Sequence, residues 1–527
     1  MSLLLAFGVA SLPACFYLSW FQLVCFLVTP VVWSLALPWL QVLYYKRQGV
    51  PAHIANPFDI DMGWMIKKEK EMTKYQKYCT QVYGPFCFLT LMCPQMIKEV
   101  LATKAKHFKK DHPIVPLMKT FLGSGLVFAD GHLWKSERKI LSKAFSHHKL
   151  LKMSSLIEES CNVRLRQLKK LMKTTDDNTK YTLDWTEEMM QLSLEVIGRC
   201  AFGQKYSSVM VDGKETSITD LTHSLEFDIV NYASSLSYFL CPKKVDWKID
   251  QQTKDLWKKA TDLKQIGRKV LQERIDEVKA NPMLIEEKPD LLNLMLDAHL
   301  DDQDPSEIGK IVDNDLLVDE CATFVLAGSE TTATLLTWVF YILSEHPEVT
   351  EKLRAELTKE LGDRYKEDPD HIIEDFGALD NNLPYLDRVI RETLRLFPSI
   401  PVITPIVAQK DVTLSCGLNI KKGTMIVISP YLVQRNEHYW TNPQEFNPDR
   451  SEFEKEDDLR YLPFSAGPRG CLGRYFALME AKIAIIKYVL SMDIACDPSS
   501  IDRLEARISL TVRGGMPTRI TPREMAQ

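Results

Sequence analysis

From Met1 to Tyr45 the chain has no Asp, Glu, Lys, Arg or His. A bilayer-spanning helix needs about 20 apolar residues. The run can therefore cross a membrane once, or fold back as a hairpin at Pro13, Pro30 or Pro38. It has no basic n-region and is too long for the apolar part of a cleaved signal peptide. Residues 1–45 read as a retained anchor. Lys46 and Arg47 follow at once, so the positive-inside bias places the rest of the chain in the cytosol. No second comparable apolar run occurs, which argues against several spans.

Other absences narrow the function. The 12 cysteines contain no Cys-x-x-Cys pair and no dense framework. That disfavours a structural zinc cluster and a disulfide scaffold, and fits a reducing compartment. The net charge is −5, with no long like-charge tail. Nucleic acid is not a favoured partner. There is no Gly-x-Gly-x-x-Gly, so a built-in dinucleotide site is not expected.

What is present is a chain of 527 residues with 45% hydrophobic content, ample for a large core. Gly49, Pro51 and Pro57 make 46–60 a hinge. Residues 61–527 follow as one body. FCFLTLM (86–92) reads as a strand, and short β-like runs recur at 402–414, 424–428 and 508–512. The polar stretches 299–307 and 360–378 read as exposed connectors. No regular alternation of strand and helix is visible, so a doubly wound fold is disfavoured. The expectation is a mainly α fold with small β-sheets.

One local pattern carries chemistry: FSAGPRGCLG (464–473), followed by the helix-compatible RYFALMEAKIAIIKYVL. Cys471 then stands just before a helix N-terminus, where a thiolate is favoured. Gly467, Gly470 and Gly473 offer backbone freedom for a tight turn that aims N–H groups at sulfur. Such a turn suits a cysteine bound to iron, with burial and donors tuning the metal. A glycine-rich turn around a buried cysteine is the plain alternative. Taken with its spacing, Phe464-x-x-Gly467-x-Arg469-x-Cys471-x-Gly473 resembles the haem-binding signature of the cytochrome P450 family.

Three further motifs occur in the order that family expects. ETLR (392–395) places Glu392 and Arg395 on one helical side; an exposed pair of that kind is worth little. The resemblance implies a buried pair joined by Arg450, bracing the haem-proximal side. FVLAGSETTATLL (324–336) sits in an apolar helix ended by Pro347. Ala327, Gly328 and Thr331 share a face, and two tiny side chains leave room for a small ligand; plain helix packing by small residues is the alternative. Ser329, Thr331 and Thr332 can bond back to helix carbonyls. By resemblance, Glu330 and Thr331 relay protons during oxygen activation. In GHLWKSERKILSKAF (131–145), Trp134 and Arg138 meet on one face. The resemblance implies that they reach a haem propionate, as Arg469 does, while Phe464 packs on the ring and Gly473 lies beside it. Lys135, Lys139 and Lys143 form a separate stripe, either a solvated face or a dock for an acidic electron-transfer partner.

The resemblance spans about 44–523 and implies a haem-thiolate monooxygenase, with Cys471 binding the iron of haem b (iron protoporphyrin IX). It further implies the endoplasmic reticulum membrane, NADPH–cytochrome P450 reductase as electron donor, cytochrome b5 as a second candidate donor, and a lipophilic substrate. One departure stands out. Pro405 occupies the position where many members carry a propionate-binding arginine. An oxygen-independent isomerase or dehydratase on the same fold, or a non-catalytic haem protein, are the competing readings. Retention of both Glu330 and Thr331 disfavours both.

Overall fold

The computed structural model describes residues 38–54, 66, 68–83, 86–111, 114–173, 181–203, 208–211, 214–233, 244–288, 290–300, 314–362, 373, 375–454 and 459–523. The anchor reading over 1–37 and most of the two polar connectors lie outside these residues. Among the described residues no helix is long and apolar enough to cross a membrane.

Helices form where the sequence supplies caps and apolar stripes. In chain order the principal ones are α1 (Gly131–Ala144), α2 (Ser154–Met172), α3 (Trp185–Phe202), α4 (Gln251–Ala280), α5 (Leu291–Leu300), α6 (Asn314–Glu345), α7 (Pro347–Leu361), α8 (Pro384–Leu396) and α9 (Arg474–Ser491). Asp184 caps α3 by accepting from the Thr186 N–H, and Asp250 caps α4 through the Thr253 N–H. Pro347 and Pro384 open α7 and α8, where a missing N–H costs nothing.

The strands are short: β1 (Ala52–Ile54), β2 (Tyr78–Tyr83), β3 (Phe86–Leu91), β4 (Phe108–Lys109), β5 (Tyr181–Asp184), β6 (Ile403–Ala408), β7 (Met425–Ile428), β8 (Met492–Cys496), β9 (Leu504–Ala506), β10 (Leu510–Val512) and β11 (Pro517–Pro522). One sheet runs β1-β2-β3-β7-β6-β4, and a second β8-β11-β5; β9 and β10 form a hairpin. The strand expected at 86–92 is β3, paired antiparallel with β2 and parallel with β7. Part of the expected hinge is ordered. Ala52–Ile54 adds to β2 as a parallel edge strand. Just before it, the Tyr45 and Thr424 hydroxyls share a 2.7 Å hydrogen bond. The end of the apolar N-terminal run is thus fastened to the body.

α6 rises about 48 Å through the molecule at 1.5 Å per residue, and its second half is buried from Thr332 to Leu343. Trp338 stacks on Phe397 at 4.2 Å, and its indole N–H donates to the Leu510 carbonyl at 2.7 Å. Trp185, Phe340 and Tyr488 close an edge-packed cluster joining α3, α6 and α9. Truncating a buried tryptophan of this kind costs about 3–5 kcal/mol.

Candidate active site

The loop before α9 is set by glycine sterics. Gly467 has φ +69°, and a Cβ there would stand 2.0 Å from the Leu101 carbonyl oxygen. That oxygen belongs to a wide helical turn, Glu99–Thr103. Only glycine lets the two backbones touch. Gly470 and Gly473 have φ −54° and −81°, which any residue adopts. Backbone freedom is therefore needed at Gly467 alone. At Gly473 a side chain would meet nothing within 4 Å.

The Cys471 N–H returns to the Phe464 carbonyl at 2.9 Å, closing the loop. Cys471 is solvent-accessible. Yet it lies deep: burial pushes its thiol above the ordinary value, opposed by the Gly473 N–H and by the Arg138 and Arg474 cations. Accessible and deep together describe a sulfur at the floor of a recess. Metal coordination would outweigh the effect of burial, since a metal-bound thiol is deprotonated.

Trp134, Arg138 and Arg469, assigned to a propionate by the resemblance, lie close to one another in the structure. Arg469 lies across Trp134, its guanidinium 4.1 Å from the ring centroid. It donates to the Ala129 carbonyl and to Asp130 Oδ1, both at 2.8 Å. Arg138, half-buried on α1, couples electrostatically to Cys471 and Arg469. Phe464 is half-buried, with the Arg474 guanidinium 5.7 Å from its ring. Pro405 sits half-buried in β6 and contributes no charge.

Two residues here went unnoticed in the sequence. Lys110 donates to the Val127 carbonyl at 3.3 Å. Burial brings its amine down to about 8, the Arg469 cation adds to the drop, and Asp130 opposes it. Asp130 occupies the N-cap of α1 but makes no cap bond. Its carboxylate serves Arg469 instead. The Lys109–Lys110 doublet was the available signal for the first, and the cap position for the second.

On α6, Ala327 is exposed between buried Val325 and Ser329. The helix surface opens at that point. The Thr331 hydroxyl donates to the Ala327 carbonyl at 2.7 Å, and Ser329 back-bonds to Val325 at 2.8 Å. Gly328 behaves differently from expectation. A Cβ there would lie 2.9 Å from Ile197 Cδ1, so this glycine packs toward α3. Its neighbour Ala327 is exposed. Glu330 Oε1 accepts from the Ser509 hydroxyl at 2.6 Å.

Glu392, Arg395 and Arg450 meet in one buried cluster. Glu392 and Arg395 have fully buried side chains, bonded at 2.7 and 2.8 Å. Arg450 Nε reaches Glu392 Oε1 at 2.7 Å. Spare guanidinium hydrogens of Arg395 go to the Gln434, Pro443 and Glu445 carbonyls at 2.9, 2.7 and 2.9 Å. The pair thereby pins the chain that leads to the Cys471 loop. Lys135, Lys139 and Lys143 are exposed on the other side of α1.

An accessible sulfur at depth, a helix surface open at Ala327, and Arg138, Arg469, Trp134 and Lys110 drawn together suit a flat macrocycle with anionic edges held through sulfur. The comparisons with known proteins agree. The Cytochrome P450 family profile matches residues 56–513. The chain is 28% identical over 516 residues to cytochrome P450 4A14 of Rattus norvegicus, covering 96% of each. It is 31% identical over 419 residues to secologanin synthase 1 of Catharanthus roseus, covering 77% of this chain and 74% of that protein. The crystal structure of the cytochrome P450DA heme domain superposes with a TM-score of 0.72 at 19% identity, over 90% of this chain and 98% of that one, which speaks for the fold. The chain therefore belongs to the cytochrome P450 family, with that family's mainly helical, haem-binding fold and its general haem-thiolate monooxygenase chemistry.

Proposed function

We propose that this protein inserts one atom of dioxygen into a lipophilic organic substrate, by hydroxylation or epoxidation. The second atom leaves as water. Electrons come from NADPH–cytochrome P450 reductase, with cytochrome b5 as a second donor. When bound, haem b supplies the dioxygen-reducing centre, and a thiolate ligand favours O–O cleavage.

The carrying observation is the placement of Cys471, solvent-accessible at depth, ahead of α9 and beside the Arg138 and Arg474 cations. Cys471 is the metal ligand in this reading. The Gly473 N–H moderates the sulfur's charge, and the open space at Gly473 admits the macrocycle edge. Phe464 packs on the ring. Trp134, Arg138 and Arg469 bind the propionates. Lys110 adds an amine to that set, and Pro405 adds none. Glu392, Arg395 and Arg450 hold the loop in register.

Glu330 and Thr331 deliver protons. The Thr331 hydroxyl, turned onto the Ala327 carbonyl, stands where the helix opens. A hydroxyl both donates and accepts, so it can pass a proton without carrying a net charge. Residues 1–45 anchor the chain in the endoplasmic reticulum membrane with the body facing the cytosol. The exposed Trp39, Leu40 and Leu43 at the end of this run are consistent with a membrane surface. Lys135, Lys139 and Lys143 receive the acidic face of the donor.

The test uses purified, haem-supplemented full chain. A red-shifted Soret band of the ferrous carbonyl complex is expected, together with NADPH and dioxygen consumption when reductase and a spin-shifting lipophilic compound are supplied. A nitrogen-ligated spectrum, or substrate rearrangement without NADPH, would sink the reading.

A further inference from the structure

A closed ring of contacts surrounds the Glu330–Thr331 step, and the sequence signature does not include half of it. The Ser509 hydroxyl donates to Glu330 Oε1 at 2.6 Å. The next residue, Leu510, donates its N–H to the Ser399 carbonyl at 3.0 Å. The Ser399 hydroxyl donates to the Thr331 carbonyl at 2.7 Å. Two peptide units, 330–331 and 509–510, complete the circuit. Ser509, Leu510 and Ser399 are 1%, 0% and 7% exposed, so little water competes for these bonds. The Leu510 carbonyl is separately held by the Trp338 indole. The ring thus ties α6 to the turn between β9 and β10 and to the segment after α8.

The chemistry of the partner matters. A Lys or Arg beside Glu330 would fix it as a carboxylate. A serine does not. Its hydroxyl donates to an ionised carboxylate and accepts from a protonated one. Ser509 can therefore keep the Glu330 side chain in one place while the acid gains and loses a proton.

We propose that Ser509 is a positioning residue for proton delivery: it aims Glu330, and Ser399 fixes the Thr331 backbone within the same ring. This rests on the monooxygenase reading given above. Movement of the β9–β10 turn is then transmitted directly to the acid.

The experiment uses the haem-loaded full chain with NADPH–cytochrome P450 reductase and no organic substrate. Dioxygen leaves as peroxide after taking two electrons and two protons, from one NADPH and one H⁺. It leaves as two waters after four of each, from two NADPH and two H⁺. Peroxide formed per NADPH consumed thus reports proton delivery. Ser509→Ala is expected to cut the water-forming fraction about tenfold, below the ~10²-fold or greater loss of removing a general acid outright. Ser509→Thr, which keeps the hydroxyl, is expected to retain the wild-type partition. In a Glu330→Ala background, Ser509→Ala should add nothing, because it acts through that carboxylate. Haem content and the ferrous carbonyl spectrum of each variant control for folding. If Ser509→Ala does not load haem, Ser399→Ala, scored on the same partition, carries the test.

A Ser509→Ala partition within about twofold of wild type overturns the proposal. So does an equal further loss in the Glu330→Ala background, which would mark a merely structural role. A wild-type chain that consumes no dioxygen at all would overturn the monooxygenase reading first, and this inference with it.

Discussion

Arg395 grips Glu392 at two points, Nε to Oε2 at 2.7 Å and Nη2 to Oε1 at 2.8 Å, with neither side chain exposed. Glu392 is also the acceptor for Arg450 and for the Asn447 N–H at 3.0 Å. One carboxylate thus serves two buried guanidiniums.

Replacing Glu392 by Ala should leave both cations without their counter-charge. Breaking a buried pair in this way costs about 3–5 kcal/mol. The expected result is a lower urea midpoint and poor haem loading, read from the yield of haem-bound protein.

Cys471→Ser should abolish the red-shifted Soret band of the ferrous carbonyl complex. The fold should survive, because the loop is held by the Cys471 N–H to Phe464 bond and by Gly467 against Leu101, neither of which involves sulfur. A retained red-shifted band would remove Cys471 as the ligand.

Thr331→Ala should divert electrons to peroxide. The lost group is the hydroxyl that donates to Ala327, and the methyl it leaves relays nothing. Peroxide assayed against NADPH checks this; equal coupling in the variant would count against the relay.

The parts of this site that were readable from local pattern are those whose members lie close in sequence, while Arg450 came only through the family resemblance. Glu392 and Arg395 share a helical turn, Trp134 and Arg138 share a face, and the cysteine loop spans ten residues. Periodicity and glycine sterics suffice for such groups. Asp130 with Arg469, Ser509 with Glu330, and Ser399 with Thr331 are joined only by the packing of distant elements. Nothing local marks a serine at 509 as different from any other. The same limit explains Gly328. Spacing put it beside Thr331, but which neighbour fills its missing side chain depends on α3. The mainly helical class with small sheets was legible because its strands are short and aromatic or β-branched. The ordered edge strand at Ala52–Ile54 was not, since three residues carry no period.

Glu320 on α6 is fully buried, next to Glu137 of α1 and His299 of α5. Burial pushes its carboxyl up to about 8; Glu137 adds to this, while the Leu126 N–H and His299 oppose it. Asp319 also faces this group. The unfolded chain titrates near its ordinary 4.5, so the folded state holds an extra proton between about 4.5 and 8. The resulting stability is fully present below 4.5 and is lost as pH rises through 8. Glu320→Gln should remove that dependence. At pH 9 the variant should be more stable than the parent by about 5 kcal/mol, and near pH 5 the two should nearly match. Thermal melts across pH 5–9 decide; parallel curves would refute it.

Lys135 and Lys139 are exposed on the face of α1 away from the core. Reversing both to Glu should weaken reductase binding at low salt and flatten its salt dependence. Titration of reductase at two ionic strengths checks this. An unchanged salt dependence would return the stripe to an ordinary solvated face.

The two glycines on either side of Cys471, at 467 and 473, should age differently under mutation. At 467 the obstacle is main chain, the Leu101 carbonyl 2.0 Å from any Cβ. No exchange of a neighbouring side chain can relieve it, so the position is frozen for every descendant that keeps the 99–103 turn. At 473 no protein atom stands in the way. Tolerance there depends on whatever molecule fills the space. A library selected for folding alone should keep the first glycine and let the second drift, and only selection for cofactor retention should hold both.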